Sequence, residues 1–283
     1  MMVITKVGFA RALQRCVTVA NASKFLRCQT FKLFSTRSKI CSSPLVKQYS
    51  TTMASTGDRI KYWSNRWDEG SIGFHKDEVH PMLIKYFDKL FPSGKTGRVF
   101  VPLCGKTLDM RWLAGKDISV VGLDAVRMSL EQFFSDQNLQ YTEEKAPQLA
   151  ENGALLKSSD NKIHLYLGDM LNFSPDVEGT FEAVWDRASL VALNREDVSK
   201  YVSIIKSLLK PGGRCLLEVM DYDVSIMEDL GDLSTRPPPP HPMYEAELKQ
   251  LYEPEFTVQY LDRCERLLAG KDIHLQVFLL TKQ

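Results

Sequence analysis

The sequence predicts an α/β protein: a mostly parallel sheet with helices on both faces. Three observations carry this. Short apolar runs at positions 99–101, 118–123, 163–167, 181–185 and 214–220 alternate with stretches of helical periodicity. The first two runs flank a tight turn at Cys104 and Gly105 and a short helix whose Leu108, Trp112 and Leu113 share a face. Several runs end on polar residues, namely Asp124, Gly168-Asp169-Met170 and Asp186-Arg187, at the carboxyl ends where such sheets bind ligands.

Taken in order, the folded part begins at Asp58. Trp63 and Trp67 lie four apart, on one face of a helix. Spacing alone assigns such an aromatic pair to a core. Gly70 and Gly73 end that segment and present Phe74. Residues 79–91 form an amphipathic helix stopped by Pro92 and Gly94. The strand at 99–101 ends in Pro102, which cannot continue a buried ladder. The helix after the turn closes at Gly115, and the next strand runs into Asp124. A helix follows at 129–134, and the polar stretch 141–160 reads as surface loop with some helix. Strands at 163–167 and 181–185 precede a helix at 198–209, stopped by Pro211-Gly212-Gly213. The proline run at 235–242 can be neither helix nor central strand; it is a stiff extended loop, either a substrate lid or inert surface. A helix at 245–252 and a strand pair at 256–261 and 273–280 close the chain.

Charge divides the sequence. Positions 1–57 hold nine Lys or Arg and no acid, which leaves 27 basic and 35 acidic residues beyond them. The net of −8 over positions 58–283 argues against a nucleic-acid partner. The basic, hydroxyl-rich leader has the composition of a mitochondrial presequence, with Lys47 two positions before Tyr49. The alternative is a disordered tail, or initiation at Met53 and a cytoplasmic protein. No apolar run approaches the roughly 20 residues that span a bilayer, so no membrane partner is expected.

Six cysteines are present, Cys16, Cys28 and Cys41 in the leader and Cys104, Cys215 and Cys264 beyond it, with no C-x-x-C pair to suggest zinc or redox chemistry. Cys104 reads as a small residue in a tight bend. His75 and His80 lack metal spacing and a third ligand, which leaves them as surface or substrate-rim residues and predicts no metal.

Spacing also restricts the ligand. A phosphate-cradling loop requires Gly five positions before the Gly of G-K-T; Phe100 and Lys89 stand there for the two G-K-T matches. No G-x-G-x-x-G follows any strand, which removes dinucleotides. An adenosine ligand without phosphates fits, and S-adenosylmethionine is the common one. Asp124, 19 residues after Gly105, would bond its ribose, and Gly168-Asp169-Met170 would lie near its adenine.

Four segments carry a family resemblance: W-S-N-R-W-D-E-G-S-I-G-F-H (63–75), R-V-F-V-P-L-C-G-K-T-L-D-M-R-W-L-A (98–114), V-V-G-L-D (120–124) and V-W-D-R-A-S-L-V-A-L (184–193). On these the chain resembles the thiopurine S-methyltransferase family, a branch of the class I S-adenosylmethionine-dependent methyltransferases, from about Tyr62 onward. The P-L-C-G-K turn is specific to that branch. The resemblance implies a single Rossmann-like domain with a mostly parallel seven-stranded sheet and an antiparallel C-terminal strand. It implies that Trp63 and Trp67 pack on S-adenosylmethionine, reversing the core assignment. Leu103 and Gly105 would line the methionine side, Asp124 the ribose, and Asp169 and Met170 the adenine. Phe74 and Arg187 would border cofactor and substrate, and His241 of the proline loop would join the substrate side.

The implied reaction is methyl transfer to the sulfur of a small thiol, an in-line displacement that depends mainly on alignment. A thiol must ionise to attack, and a nearby cation favours the ion. Arg187 is the candidate, acting electrostatically because a guanidinium stays protonated, with Arg263 and Arg266 as weaker ones. Asp186 reads as structural, capping or pairing with Arg187. The rivals are a methyltransferase for selenium, halide, arsenic or oxygen, and a non-catalytic S-adenosylmethionine binder. A monomer with a small-molecule partner is expected.

Overall fold

The computed structural model describes residues 56–94, 96–226, 239–268 and 270–283. Apart from its last two positions, the basic leader lies outside them, as do Met53 and residues 235–238 of the proline run.

One nine-stranded sheet organises these residues, in the order β3-β4-β5-β2-β1-β6-β7-β9-β8. The parallel centre is β5 (Ile163–Leu167), β2 (Ser119–Asp124), β1 (Arg98–Val101), β6 (Phe181–Arg187) and β7 (Leu209–Asp221). The strand order reverses between β1 and β6, the switch point at which such sheets bind ligands. On one edge β9 (Lys271–Lys282) runs antiparallel to β7 and carries β8 (Phe256–Leu268). Both are longer than the apolar runs that predicted them. β8 alternates half-buried and exposed residues through much of its length, so apolar content marks only its start.

The other edge corrects an expectation. Residues 141–160 form a hairpin, β3 (Tyr141–Lys145) and β4 (Ala154–Ser158), antiparallel to each other and to β5, so the sheet has nine strands where seven were implied. β3 reads Y-T-E-E-K and is exposed throughout, so no alternation betrays it. It is held by pairing with β4, whose Ala154, Leu155 and Leu156 are buried, by cross-strand charge such as Lys157–Glu144, and by α4 (Arg127–Asp136), where Phe134 meets Tyr141 and Arg127 meets Glu143.

Side chains alternate between two cores, as the pleat requires. Val99 and Val101 face one and Phe100 the other; Trp185 and Leu216 face the first, Val184 and Leu217 the second. The first core is covered by α2 (Pro81–Leu90), α3 (Asp109–Ala114) and α4 (Arg127–Asp136) through Leu83, Leu113 and Phe133. The second is covered by α6 (Val198–Leu208) and α7 (Glu245–Tyr252) through Tyr201, Ile205 and Leu248. The remaining helices are α1 (Thr56–Asp68) and the single turn α5 (Pro175–Glu178). No helix among the described residues is long and apolar enough to cross a membrane.

Asp109 shows how the first core places a functional segment. It is 1% exposed, and its two oxygens accept from different elements. Oδ1 takes the His80 backbone N–H at 2.7 Å and Oδ2 takes the Trp185 indole N–H at 2.8 Å. His80 in turn caps α2, its Nδ1 accepting from Met82 N at 3.3 Å. His80 is therefore buried, not the surface residue expected, because the cap and the tilted Trp185 ring hold it inside. Replacing Asp109 by Ala orphans two buried donors, each costing about 1–3 kcal/mol. Asp109→Ala should lower stability by about 3 kcal/mol. Asp109→Asn, which keeps one acceptor oxygen, should lose less. Urea midpoints of the three proteins check both statements.

Candidate active site

A pocket of about 300 Å³ opens at the carboxyl ends of β1, β2, β6 and β7, at the reversal of strand order. Its floor begins with the turn after β1. Pro102 ends the ladder, Leu103 sits at φ 42° and Gly105 at φ 52°. Left-handed backbone is tolerated by glycine and costs other residues about 1–3 kcal/mol, so its appearance at Leu103 marks a turn held by its surroundings. The holding groups are visible. Cys104 N–H donates to Leu123 O at 2.9 Å, and Gly105 N–H donates to Asp124 Oδ2 at 2.8 Å. Asp124 Oδ1 accepts from Val126 N at 2.9 Å. Burial raises the Asp124 carboxyl above its ordinary value, against the pull of these bonds. A carboxylate has about four acceptor sites, so two backbone bonds leave capacity for a ligand hydroxyl.

α1 closes over this floor. Arg59, Trp63 and Trp67 stand four apart and all border the pocket. Both indoles meet Phe74 edge-on, at 5.5 and 5.9 Å between centroids. A methyl group added at Gly105 would just touch Trp67, at 3.4 Å from Cζ2, so it is the left-handed backbone at φ 52° that makes glycine the residue for this turn. Trp67 is 5% exposed and belongs to core and pocket together, whereas Trp63 is half-buried. Arg59 is what pins the helix. Its Nη2 reaches Asp169 Oδ1 and Oδ2 at 3.1 and 3.2 Å, and its Nε is 3.3 Å from Asp197 Oδ2. Asp169 also caps the turn after β5, accepting from Leu171 N. Met170 beside it is fully buried and borders the pocket.

The far end of the pocket is charged. Arg187 closes β6, and its Nη2 donates to Phe74 O at 2.8 Å, tying strand to lid. Burial pulls its guanidinium below the ordinary value, and Glu218 and Asp109 push back. It remains a cation at any physiological pH. Next to it on β7, Glu218 is 2% exposed; its Oε1 is 3.9 Å from Arg187 Nε and its Oε2 is 3.0 Å from His80 Nε2. Burial acts to raise Glu218, but the contact with His80 and the charges of Arg187 and Arg266 outweigh it and hold the carboxyl below the usual range. Arg266 and Leu267 of β8, with Pro239 and Pro240, form the rim. Tyr222 Oη donates to Pro240 O at 2.5 Å and fastens that rim.

The structure thus gathers Trp63, Trp67, Phe74, Leu103, Gly105, Asp124, Asp169, Met170 and Arg187 around one pocket. It does not bring His241 there. His241 is half-buried beside Arg195, its N–H donating to Val191 O at 2.7 Å, and the prolines before it face the pocket instead. Of the two secondary arginines, Arg266 borders the pocket; Arg263 points to the opposite face of β8, against His274. Sequence reading missed Arg59, although its spacing of four from Trp63 was available, and Glu218, a lone acid inside an apolar strand. His75 lines the rim; burial, with Lys106, pulls it below its ordinary value. Cys104 and Cys215 are buried and Cys264 is half-buried, all without disulfides, and burial raises all three thiols. No metal-binding cluster occurs among the described residues.

Comparison with known proteins agrees with this geometry. The family model described as thiopurine S-methyltransferase matches residues 59–278. A Danio rerio protein named "Probable thiopurine S-methyltransferase" is 40% identical over 60% of this chain and 75% of its own. The thiopurine S-methyltransferase of Rattus norvegicus is 37% identical over 72% and 81%. That of Panthera tigris is 33% identical over 78% and 86%. Among solved structures, the 1,6-didemethyltoxoflavin-N1-methyltransferase of Burkholderia thailandensis, with 1,6-didemethyltoxoflavin and S-adenosylhomocysteine bound, superimposes with a TM-score of 0.53 at 16% identity. It covers 79% of this chain and 87% of that one, a likeness of fold.

Beneath the site, Asp186 is structural but not paired with Arg187: it accepts from Tyr201 Oη at 2.6 Å and Leu190 N at 3.3 Å. Burial raises its carboxyl to about 6 from 3.8, the hydrogen bonds notwithstanding. The folded state then holds this proton more tightly than the unfolded chain does. The resulting stability is complete below about pH 4 and lost as pH rises through about 6. The loss amounts to about 3 kcal/mol, at about 1.4 kcal/mol per unit. Asp186→Asn should remove this slope: relative to the unsubstituted protein, the variant gains on passing from about pH 4 to about pH 7, as urea midpoints would show.

Proposed function

The chain belongs to the thiopurine S-methyltransferase family, and from that premise we propose how its pocket divides S-adenosylmethionine-dependent methyl transfer among its residues. The protein is an S-adenosylmethionine-dependent methyltransferase acting on the sulfur of a small thiol. The observation that supports the residue assignment is the pocket itself. The P-L-C-G-K turn, Asp124 and the Trp63–Phe74 lid converge on one cavity.

The residues fit the cofactor. An apolar, aromatic lid suits an adenosine and a thioether-like chain, and the missing side chain at Gly105 keeps the floor low under Trp67. Asp124 would take the ribose hydroxyls on its remaining lone pairs. Leu103 and Gly105 would line the methionine side. Asp169 would frame the adenine as a fixed wall with Met170, because Arg59 occupies its carboxylate. When bound, S-adenosylmethionine supplies an electrophilic methyl group on a sulfonium. The chain's own task is alignment and electrostatics. The lid excludes water, which strengthens every charge inside. Phe74 and Arg187 bound the acceptor end, where Arg187 favours negative charge developing on the thiol sulfur.

Two measurements test this reading. Calorimetry with S-adenosylmethionine, followed by product detection across a thiol panel, should show binding and turnover; binding without turnover on any acceptor would favour a non-catalytic binder. Arg187→Ala should still bind S-adenosylmethionine, more weakly as the lid loses its tie to β6, and lose about 100-fold in kcat on thiols at saturating cofactor. Unchanged thiol methylation at every pH would remove Arg187 from its electrostatic role.

A further inference from the structure

Arg187 can favour a thiolate, but it cannot accept the thiol's proton. The chain must send that proton elsewhere, and one group lies beside Arg187. β7 is apolar where it crosses the sheet: Cys215, Leu216, Leu217 and Val219 are fully buried. Glu218 interrupts it with an acid. In the parallel register Glu218 pairs with Arg187, and the pleat sets both on the sheet face that also carries Trp185 and Leu216, under His80. Burying a carboxylate there is costly unless it is compensated, and His80, Arg187 and Arg266 supply the compensation. Arg187 Nε, at 3.9 Å, is too far for a hydrogen bond and has no other partner. Glu218 Oε2 is buried against His80 Nε2 at 3.0 Å, whereas its Oε1 lies 3.9 Å from Arg187 Nε. A donor without a hydrogen bond and a carboxylate oxygen thus face each other among the residues that line the pocket.

We propose that Glu218 is the catalytic proton acceptor for the thiol, which binds with its sulfur against the Glu218 carboxylate, beside Arg187; this rests on the thiol methyltransferase reading above. A lone pair of the thiol sulfur forms the new bond to the methyl carbon, and the carbon–sulfonium pair returns to the sulfur of S-adenosylhomocysteine. The S–H pair stays on the acceptor sulfur, and its proton passes to Glu218 and leaves to solvent with the product. Glu218 is a weak base toward a resting thiol, whose ordinary value is about 8.5. A sulfur already sharing its lone pair with a methyl group is a far stronger acid, so the transfer becomes favourable as the new bond forms. The compensation from His80, Arg187 and Arg266 keeps Glu218 ionised and ready at neutral pH.

The test compares two acceptors: an alkanethiol un-ionised at neutral pH and an electron-poor aryl thiol already ionised there. Glu218→Gln should leave S-adenosylmethionine affinity, read by calorimetry, unchanged. It should cut kcat/KM for the alkanethiol by about 100-fold and spare the aryl thiol, which has no proton to lose. Raising the pH should restore the alkanethiol rate as that thiol ionises in solution. The groups facing Glu218 are His80 ahead of α2, Arg187 on β6, and Arg266 and Cys264 on β8, and they stand beside Glu218 whichever acceptor is bound. Equal loss on both thiols, or none, would overturn the assignment. If Glu218→Gln fails to bind cofactor, Glu218→Asp carries the same comparison, a loss confined to the alkanethiol supporting it and a uniform loss refuting it. A native protein that methylates no thiol would instead overturn the reaction it rests on.

Discussion

The Asp124 carboxylate is the constraint on which the rest of the site depends. By accepting Gly105 N–H and Val126 N–H it fixes the exits of β1 and β2 relative to each other. That bond holds Leu103 and Gly105 in left-handed backbone and turns Cys104 down onto the sheet. The strand beneath must yield: a side chain at Gly122 would reach 2.9 Å from Cys104 Sγ and 2.7 Å from Leu165 Cδ2. Ser189 Oγ closes the third side, donating to Pro102 O at 2.8 Å and linking the end of β6 to the same turn. The pocket floor is therefore one hydrogen-bonded unit drawn from three strands. A residue on it, such as Arg187, inherits its position from all three.

The lid is fastened differently. α1 has few apolar anchors among the described residues, Trp67 chief among them, and relies on a buried charge, Arg59 against Asp169 and Asp197. Such a pair contributes little net stability, because desolvation offsets the attraction, yet breaking it strands a charge. It therefore specifies where the helix sits more than how firmly the protein folds. The Arg187 bond to Phe74 O fixes the other end of the lid. Cofactor end and acceptor end are thus each tied to the lid by an arginine.

What the sequence revealed follows from how each feature is encoded. The central strands are buried on both faces, so continuous apolar runs announced them, and Asp124 stood out as the acid that ends one. β3 is exposed throughout and held by contacts distant in sequence, its pairing with β4 and the contacts of Tyr141 and Glu143 with α4, so it left no periodic trace. His80 looked like a rim residue because nothing local reveals that Asp109, 29 positions on, accepts its N–H and draws it inside. His241 misled for the converse reason: the proline run pointed to the pocket, but its backbone bond to Val191 turns the histidine away. Arg59 and Glu218 did carry signals, a shared helical face with the tryptophans and an acid in an apolar strand. Each gains meaning only beside its partner, 110 positions away at Asp169 or one strand over at Arg187.

The two ends of the pocket also differ in charge in a way that suits the reaction. Asp124 and Asp169 lie toward the turn, whereas Arg187 and Glu218 stand together at the far end, with Arg266 on the rim beside them. Methyl transfer from a sulfonium to a neutral thiol discharges the donor and creates a proton. If that proton passes to Glu218, the carboxylate is neutralised as the sulfonium is, and the total charge inside the closed pocket stays constant until the products leave. In a water-poor cavity a change in net charge would be costly, because few dipoles can reorient to meet it. The arginines and His80 are in place before the reaction starts and need not move. A buried acid held ionised by fixed cations is thus well matched to a step whose electrostatic demand is the relocation, not the creation, of one positive charge.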